Sequence, residues 1–459
     1  MNFYPSNRNI PIKTSLGWLR SKREDDICGD LWRIDDSLYD LEKFEDKHPG
    51  GTDWIRLVRD KMRSRIISGM VRVRIGILAG WMGLKGCIFI KTSIPGERNG
   101  SGIRQTWNCI RNGSYYGLQI YTVLHCADTK FPNLINFRHT FHEDGFFKTL
   151  QNKARPILSA TGTGPDWRSK LIQDILTVSF LLLLFLTSRK QSLVLSLLTG
   201  ILLGMQTSCA HNWFHLRDSQ GWRRYFFDLS LLSHRDWRIS HALSHHLHTN
   251  TFSDIEVTAV EPFMSFLPEK KGWILRNLSP IYLHLMFFLA VPVEFIKRCI
   301  QVLSGAQTLL PENILPVLEF ALLLSSMDLF TAFKFWFIIH GLAGYWLIIT
   351  SVTTTHHHPE LYHAGDTPRL DSDWGLHQVD TVRDLEKPWL PLVLTTFGDH
   401  LLHHLFPAVD HSRLPLLYPA LYQTLAEFQV SYPTRSLPQM VKGLNLQLRK
   451  TEPTDRSNN

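Results

Sequence analysis

Several common signatures are missing from this 459-residue chain. Its six cysteines are scattered and include no C-x-x-C pair, which excludes a disulfide framework and favours a reducing, cytosol-facing location for the polar parts. The N-terminus has no apolar h-region, so we expect no cleaved signal peptide and insertion through an internal span. The net charge of +8 comes without the interleaved aromatic and basic residues of an RNA-binding surface. We interpret it as Lys and Arg flanking membrane spans, with no nucleic-acid partner.

Histidine, by contrast, is sharply clustered. Three groups each lie close to a strongly apolar stretch, and a spacing of four residues places side chains on one face of a helix. Imidazoles beside a membrane are costly unless they have a function. The groups hold too many nitrogen donors for one zinc ion, which takes three or four protein ligands, but enough for two iron ions. We therefore predict a di-iron oxidoreductase centre built from His211, His215, His241, His245, His246, His400, His403 and His404.

Apolar runs in the second half of the chain predict membrane spans. Residues 171–187 and 192–207 form a predicted hairpin around Arg189 and Lys190. If the histidine groups share one site, an even number of crossings must separate the second from the third, so one of the three later segments does not cross. We expect four crossings, with both termini and all histidine groups in the cytosol and the short turn in the lumen. The three later segments are residues 278–296, 314–333 and 335–352.

The N-terminal region carries a different motif. The run from Leu38 to Phe44 leads into His48-Pro-Gly-Gly, which resembles the haem-ligand motif of the cytochrome b5 family. The resemblance implies a small α+β domain that binds haem b, with His48 as one axial ligand. No further histidine occurs before His125, well beyond the expected spacing, so His125 is the candidate for the second axial position.

Residues 61–117 separate these two histidines and depart from the family pattern. They contain ten Lys or Arg, ten glycines and a single acidic residue, Glu97. Such a composition buries too little apolar surface to offset the entropy of ordering the chain. We interpret the segment as a long insertion, a disordered basic loop or a mistaken exon boundary. We expect it to lie outside any folded haem domain, and haem binding to be weak or absent.

The residues around the histidine groups make the interpretation more specific: they include Trp237, Leu247-His248-Thr249-Asn250, Asp254 and Leu405-Phe406-Pro407. These residues resemble the membrane fatty acid desaturases, and specifically the front-end desaturases, which carry an N-terminal cytochrome b5 domain. The layout is most similar to the cytochrome b5-related proteins. The resemblance implies an endoplasmic reticulum membrane location, an acyl-lipid or acyl-CoA substrate, and electrons supplied through cytochrome b5, fused or free, by an NAD(P)H-dependent cytochrome b5 reductase.

Two departures limit what the resemblance implies. The second group has three residues between its first histidine and the histidine pair, where front-end desaturases have two, and the third group begins with His400 in place of glutamine. Regioselectivity therefore cannot be carried over. Desaturase sites often take a further ligand from the region after the last span, and Asp236 and Asp399 beside the groups could orient imidazoles. The candidates for the further ligand are His356, His357, His358 and His377.

Together these patterns predict a multi-domain protein, with a small α+β cytochrome b5-like domain followed by an all-α membrane domain of about four transmembrane helices. The function favoured is O2-dependent desaturation of acyl chains. A lipid hydroxylase on the same scaffold and a non-catalytic membrane haem or metal protein remain alternatives. The predicted boundaries are 1–60 for the b5-like region, 61–130 for the atypical basic segment, 131–170 for an interfacial linker, 171–440 for the desaturase-like domain and 441–459 for a disordered tail.

Overall fold

The computed structural model describes residues 6–10, 13–26, 32–34, 37–40, 88–93, 105–111, 114–116, 119–121, 139–216, 221–386 and 389–457. These residues form two compact units. The first holds the described residues up to 121 together with 239–259, and the second holds 139–216, 221–238 and 260–457. The predicted haem ligands His48 and His125 lie outside the described residues.

The first unit contains two three-stranded antiparallel sheets and a few short helices. The strand orders are β1-β2-β6 and β3-β4-β5. A 3-10 turn at Ser6–Asn9 precedes helix α1 (Ser15–Asp26), and short helices at His246–His248 and Ile255–Thr258 follow the second histidine group. The strands are β1 (Trp32–Ile34), β2 (Ser37–Asp40), β3 (Ile88–Ser93), β4 (Gln105–Arg111), β5 (Ser114–Tyr116) and β6 (Gln119–Tyr121).

Strands β3, β4 and β5 fall within the basic segment 61–117. They pair only with one another among the described strands, whereas β2 pairs with β6, placing Leu38 opposite Tyr121. Helix α1 packs against the chain that follows the second histidine group. The buried indole of Trp18 donates to the Ser253 carbonyl at 2.7 Å. This hydrogen bond joins residues that are far apart in sequence but belong to the same unit.

The second unit is almost entirely helical. Its helices are α2 (Phe146–Thr161), α3 (Trp167–Lys190), α4 (Leu193–His215), α5 (Trp273–Asn277), α6 (Ser279–Leu303), α7 (Leu315–Leu324), α8 (Leu329–Leu347), α9 (Trp374–Thr381), α10 (Leu390–Thr396), α11 (His400–Leu405), α12 (Tyr418–Glu427) and α13 (Leu437–Arg449). Shorter turns occur at Trp222–Ser230, His234–Trp237, Pro311–Ile314 and Leu414–Leu417, and a π-helical turn at Ile348–Val352 extends α8.

Four helices in the described part of the chain are long and apolar enough to cross a membrane: Trp167–Lys190, Leu193–His215, Ser279–Leu303 and Leu329–Val352. Helix α3 shows why. Its apolar Ile175, Val178 and Leu182 are exposed, while Gln173 and Thr177 are buried against neighbouring helices. An apolar outside and a polar inside suit a lipid environment and not water. The prediction of about four transmembrane helices in an all-α domain is confirmed.

Small residues allow the spanning helices to pack closely. Gly200 and Gly204 lie one turn apart on α4 and face α8. A methyl group on Gly204 would lie 2.6 Å from Cβ of Trp346, and one on Gly200 would lie 2.8 Å from the Ile339 carbonyl oxygen. In lipid, helix association depends on such close contact and on interhelical hydrogen bonds. The pair Gly200 and Gly204 therefore brings α4, which carries the first histidine group, against α8.

The apolar segment at residues 314–333 is the one that does not form a spanning helix. Helix α7 contains only ten residues, about 15 Å of helix against a hydrocarbon core of about 30 Å. Pro316 lies in its first turn, and Asp328 caps the next helix by accepting from the Thr331 amide at 3.0 Å. The break therefore follows from local capping signals at both ends.

The chain after residue 440, expected to be a disordered tail, has a defined structure. Residues up to Arg449 complete α13, whose Leu444 and Leu448 are buried. The following residues are hydrogen-bonded to the loop after the last span, as in the 3.0 Å bond from the Thr367 amide to the Thr454 carbonyl. The polar composition had favoured disorder, but the contacts that order this segment come from residues about 85 positions earlier.

Candidate metal centre

The first histidine group ends helix α4. His211 and His215 are one turn apart, and their Nε2 atoms approach to 2.9 Å. His403 of α11 lies beside both, and one nitrogen from each of the three rings lies within 4.8 Å of the others. All three side chains are at most 2% exposed. Phe397 stacks on the His211 ring at a centroid distance of 4.0 Å and fixes its orientation.

A second set in the same unit consists of His356, His400 and His404. His356 follows the last span on a loop, whereas the other two lie one turn apart on α11. Nε2 of His356 is 2.7 Å from Nε2 of His400, and the His404 ring lies 4.8 Å from each of the other two ring centroids. The three rings are at most 1% exposed.

The hydrogen bonds of this set define where its protons lie. Nδ1 of His356 is 3.1 Å from the Thr381 carbonyl, and Nδ1 of His400 is 3.1 Å from the Phe397 carbonyl. Since a carbonyl oxygen only accepts, both Nδ1 atoms carry hydrogen. In neutral imidazoles both Nε2 atoms are then acceptors, and their lone pairs face each other at 2.7 Å. Such lone pairs repel unless a cation lies between them, so the donor set fits a metal ion.

The second histidine group belongs to the first unit. His241 and His246 bring their Nε2 atoms to 3.1 Å, and His245 lies on the same turn. Nδ1 of His241 hydrogen-bonds Glu256 at 2.8 Å, and Nδ1 of His245 hydrogen-bonds Asp254 at 2.8 Å. A carboxylate on Nδ1 orients a ligating histidine and leaves Nε2 for the metal. These two carboxylates had not been predicted as partners, although Asp254 belongs to the motif that follows the group.

Burial and these carboxylates act in opposite directions on the imidazoles. Burial alone would lower the pKa of His245, but Asp254 and Glu256 together raise it to about 9. For His241 burial dominates and lowers the pKa, despite its hydrogen bond with Glu256. The carboxyl pKa of Glu256 is in turn lowered, because the two histidines outweigh the effect of its burial. Burial and the two carboxylates therefore shift the pKa values of these two neighbouring imidazoles in opposite directions.

The extra residue in the second group has a structural counterpart. Residues Arg238–His245 form a π-helical turn. An α-helix has 3.6 residues per turn, so side chains five apart point in different directions, but the wider π turn brings positions i and i+5 onto one side. This geometry accounts for the contact between His241 and His246. The additional residue between His241 and the histidine pair, relative to front-end desaturases, is thus accommodated by a π-helical turn in place of an α-helical one.

The other three candidates for a further ligand, His357, His358 and His377, have contacts outside the two histidine sets of the second unit. His357 stacks on Phe266 at a centroid distance of 3.7 Å and hydrogen-bonds His363, and His358 packs beside Gly443. The His377 ring lies 4.5 Å from the His139 ring. Of the four candidates for a further ligand, the structure brings His356 into a histidine set.

The two carboxylates expected to orient imidazoles have other partners. Asp236 accepts from Gln307 at 3.2 Å, and burial raises its pKa to about 6. Asp399 accepts the Tyr418 hydroxyl at 2.7 Å, and burial together with the neighbouring Asp384 raises its pKa to about 7. Among the described residues of the second unit, an amide side chain accepts a hydrogen bond from one ring of the histidine groups. Gln378 Oε1 lies 2.9 Å from Nδ1 of His404.

A buried polar chain beside the first set was also missed from the sequence. Asp410 accepts from the Asn212 side-chain amide at 2.5 Å, and this fixes the Asn212 oxygen toward Nδ1 of His411 at 3.0 Å. The His411 ring then stacks on His403 at a centroid distance of 4.7 Å. Asn212 lies between the two histidines of the first group, but nothing in the sequence indicates that residues 410 and 411 return to it.

One more group of acidic and histidine side chains occurs in the second unit. Asp228, His234 and Glu312 have potential ligand atoms within 4.8 Å of one another. His234 Nδ1 is 2.6 Å from Asp228, and Arg235 donates to Glu312 at 2.6 Å. Burial lowers the pKa of His234 to about 3, so its imidazole is neutral. Because Arg235 already neutralises Glu312, we interpret this group as a buried hydrogen-bonded network.

The fold and the histidine sets define a class: a membrane protein with four apolar helices and histidine groups suited to a metal. The family model for fatty acid desaturases matches residues 190–436, more than half of the chain. The chain is 32% identical to the cytochrome b5-related protein of Drosophila melanogaster, over 99% of this chain and 96% of that protein. It is 21% identical to acyl-lipid (8-3)-desaturase B of Dictyostelium discoideum, over 88% of this chain and 87% of that one.

A shorter cytochrome b5-related protein from Drosophila virilis is 49% identical over 173 residues, covering 38% of this chain and 90% of that protein. The chain therefore belongs to the fatty acid desaturase family and, within it, to the cytochrome b5-related proteins. This confirms the resemblance drawn from the histidine groups and their neighbouring residues. Membership implies a lipid substrate and a cytochrome b5-type electron donor.

Proposed function

We propose that this chain is an O2-dependent oxidoreductase that introduces a double bond into a lipid acyl chain. The observation that carries the proposal is the buried pair His356 and His400, whose Nε2 atoms face each other at 2.7 Å. A cation between these nitrogens removes their repulsion, and imidazole ligands suit the iron of oxygen-activating sites. The fatty acid desaturase family supplies the matching reaction class.

The proposed cofactor is a pair of iron ions. Three observations support this proposal. The histidines are buried, their Nε2 atoms converge within each unit, and several Nδ1 atoms form hydrogen bonds with groups outside the histidine sets. One ion is assigned to the first set and the other to the second set. The three histidines of the second group are kept as proposed ligands from their sequence pattern and from the convergence of their own nitrogens. The proposed ligands are His211, His215 and His403; His356, His400 and His404; and His241, His245 and His246.

When bound, the iron ions would supply the activation of dioxygen that removal of hydrogen from an unactivated methylene group requires. The protein residues have simpler tasks. Gln378, Asp254 and Glu256 each hold the Nδ1 side of one ring, which orients the ligand and increases its basicity. Complete burial of the histidines excludes water, which protects a reactive site from side reactions.

We further propose that electrons arrive singly from a cytochrome b5-type donor that is recharged by an NAD(P)H-dependent reductase. The donor is either a haem b held by the N-terminal region, with His48 and His125 as candidate ligands, or a free cytochrome b5. We place the protein in the endoplasmic reticulum membrane with the histidine groups on the cytosolic side. The name of the Drosophila melanogaster relative supports the cytochrome b5-type donor, and the four apolar helices support a membrane location.

The test is lipid profiling of yeast that expresses the full chain, together with iron analysis of the purified protein. We expect a new double bond in wild-type cells and its loss with His403→Ala. The matched control is His284→Ala, an exposed histidine whose ring hydrogen-bonds Tyr345 outside the histidine sets. A new hydroxyl group in place of the double bond would identify a lipid hydroxylase. An unchanged lipid profile from inserted, iron-loaded protein would identify a non-catalytic metal protein.

A further inference from the structure

The end of the chain returns to the loop that carries His356. We call residues Lys450–Ser457 the C-terminal strap and residues Pro359–Thr367 the clamped loop. The Thr367 amide donates to the Thr454 carbonyl at 3.0 Å, and the Arg456 amide donates to the Thr367 carbonyl at 3.1 Å. The two segments thus pair as a short ladder, although they lie about 85 residues apart in sequence.

A single arginine of the strap donates hydrogen bonds to three carbonyl groups of the clamped loop. Arg456 is 5% exposed, and its guanidinium donates to the carbonyls of Pro359 and Glu360 at 2.8 Å and of Leu361 at 2.7 Å. Three successive carbonyls that converge on one planar donor group fix the path of the backbone. The remaining Nε donor of Arg456 meets Asp366 at 3.2 Å.

The carboxylate of Asp366 neutralises the charge of Arg456. This carboxylate is buried and accepts from the Thr454 amide at 2.7 Å and the His363 amide at 3.2 Å. It also accepts from Lys450 at 3.1 Å, so one carboxylate joins both ends of the strap to the clamped loop. A buried arginine that is paired and hydrogen-bonded at all three of its guanidinium nitrogens avoids the large cost of an isolated buried charge.

His356 depends on this loop more than the other proposed ligands do. His400 and His404 stand on helix α11, whereas His356 stands on the non-helical chain between the last span and the clamped loop. Its Nδ1 is held by one hydrogen bond of 3.1 Å to a backbone carbonyl. Ligands on loops keep their geometry only when the surrounding residues are fixed. The clamped loop begins three residues after His356.

The residues between His356 and the clamped loop transmit this constraint. The His357 ring stacks nearly parallel on Phe266, with 7° between the ring planes. The His358 ring packs so closely on Gly443 of α13 that a methyl group there would lie 1.7 Å from its Cδ2 atom. The helix that leads into the strap therefore also touches the loop that follows the ligand.

We propose that the C-terminal strap is a positioning device for His356, with Arg456 as its central residue, and that it controls how firmly the neighbouring metal ion is held. The inference rests on the proposed function, because it requires iron at the set of His356, His400 and His404. Arg456 does not touch the reacting atoms. It acts through the backbone of the clamped loop, as supporting residues around a metal site commonly do.

The test compares Arg456→Gln with Arg449→Gln in the full-length protein purified in detergent. Arg449 is the last residue of α13 and is exposed, which makes it the matched control. Iron per protein and the rate of iron release to a ferrous chelator are measured. We expect release about 10-fold faster or more for Arg456→Gln, partial rescue by Arg456→Lys, which keeps a charge beside Asp366, and wild-type behaviour for Arg449→Gln.

A double-mutant cycle with His356→Ala separates positioning from general destabilisation. If the strap acts through His356, Arg456→Gln adds no further acceleration in the His356→Ala background. Equal acceleration in both backgrounds, or wild-type release from Arg456→Gln, would overturn the inference while iron binding by the wild-type protein still supports the proposed function. Should Arg456→Gln not fold, the Arg456→Lys variant decides by the same cycle. Wild-type protein free of iron after metal loading would overturn the proposed function and this inference together.

Discussion

Replacing Gln378 with leucine removes the acceptor that orients the His404 ring. Gln378 is fully buried on α9, and its Oε1 lies 2.9 Å from Nδ1 of His404. Leucine has nearly the same volume but leaves a buried N–H group without this acceptor, at a cost of about 1–3 kcal/mol. Loss of such a contact to a metal-ligating histidine lowers metal affinity about 10- to 100-fold. Since each factor of ten corresponds to about 1.4 kcal/mol, the two magnitudes agree.

The assay is competition for ferrous iron between the purified protein and a chelator of known affinity. Gln378→Leu is expected to weaken binding by at least about tenfold, whereas Gln378→Glu keeps an acceptor oxygen and retains most of the affinity. Gln423→Leu is the matched control, because Gln423 is exposed on α12 and hydrogen-bonds Glu427. Iron affinity for Gln378→Leu within about twofold of wild type would refute the reasoning, provided the variant is folded.

Three further outcomes are expected. Asp254→Ala should lower iron affinity about 10- to 100-fold by releasing the His245 ring, and chelator competition measures it. Gly204→Leu should destabilise the membrane domain by about 1–3 kcal/mol, because Cβ would lie 2.6 Å from Trp346, and thermal unfolding in detergent should shift downward. Burial raises the pKa of Asp366, but the Thr454 amide and the adjacent cations outweigh it and keep the pKa below 3.8. Its stabilisation is therefore present above that pH and lost below it, so exchange of the Thr454 amide should accelerate, relative to its intrinsic rate, as the pH falls below about 3.8.

Local sequence patterns were sufficient to predict the number of membrane-spanning helices. Runs of apolar residues need only a lipid environment to become helices, because every backbone group is satisfied within the helix. The spacing of His211 and His215 likewise implies one helix face without knowledge of any neighbour. The histidine groups and the residues that flank them were enough to indicate the fatty acid desaturase family, which the comparisons confirm.

Only the tertiary structure decided which side chains meet. The contact between His356 and His400 depends on a loop that approaches α11, and the hydrogen bond between Gln378 and His404 depends on the packing of α9 beside α11. The strap is the clearest case, since the sequence of the last residues is polar and indicates disorder. Arg456 is ordered by carbonyl groups about 95 residues away, to which the local sequence around it gives no clue. Patterns of period and composition describe what a segment can form, but hydrogen-bond partners at long range exist only once the chain is folded.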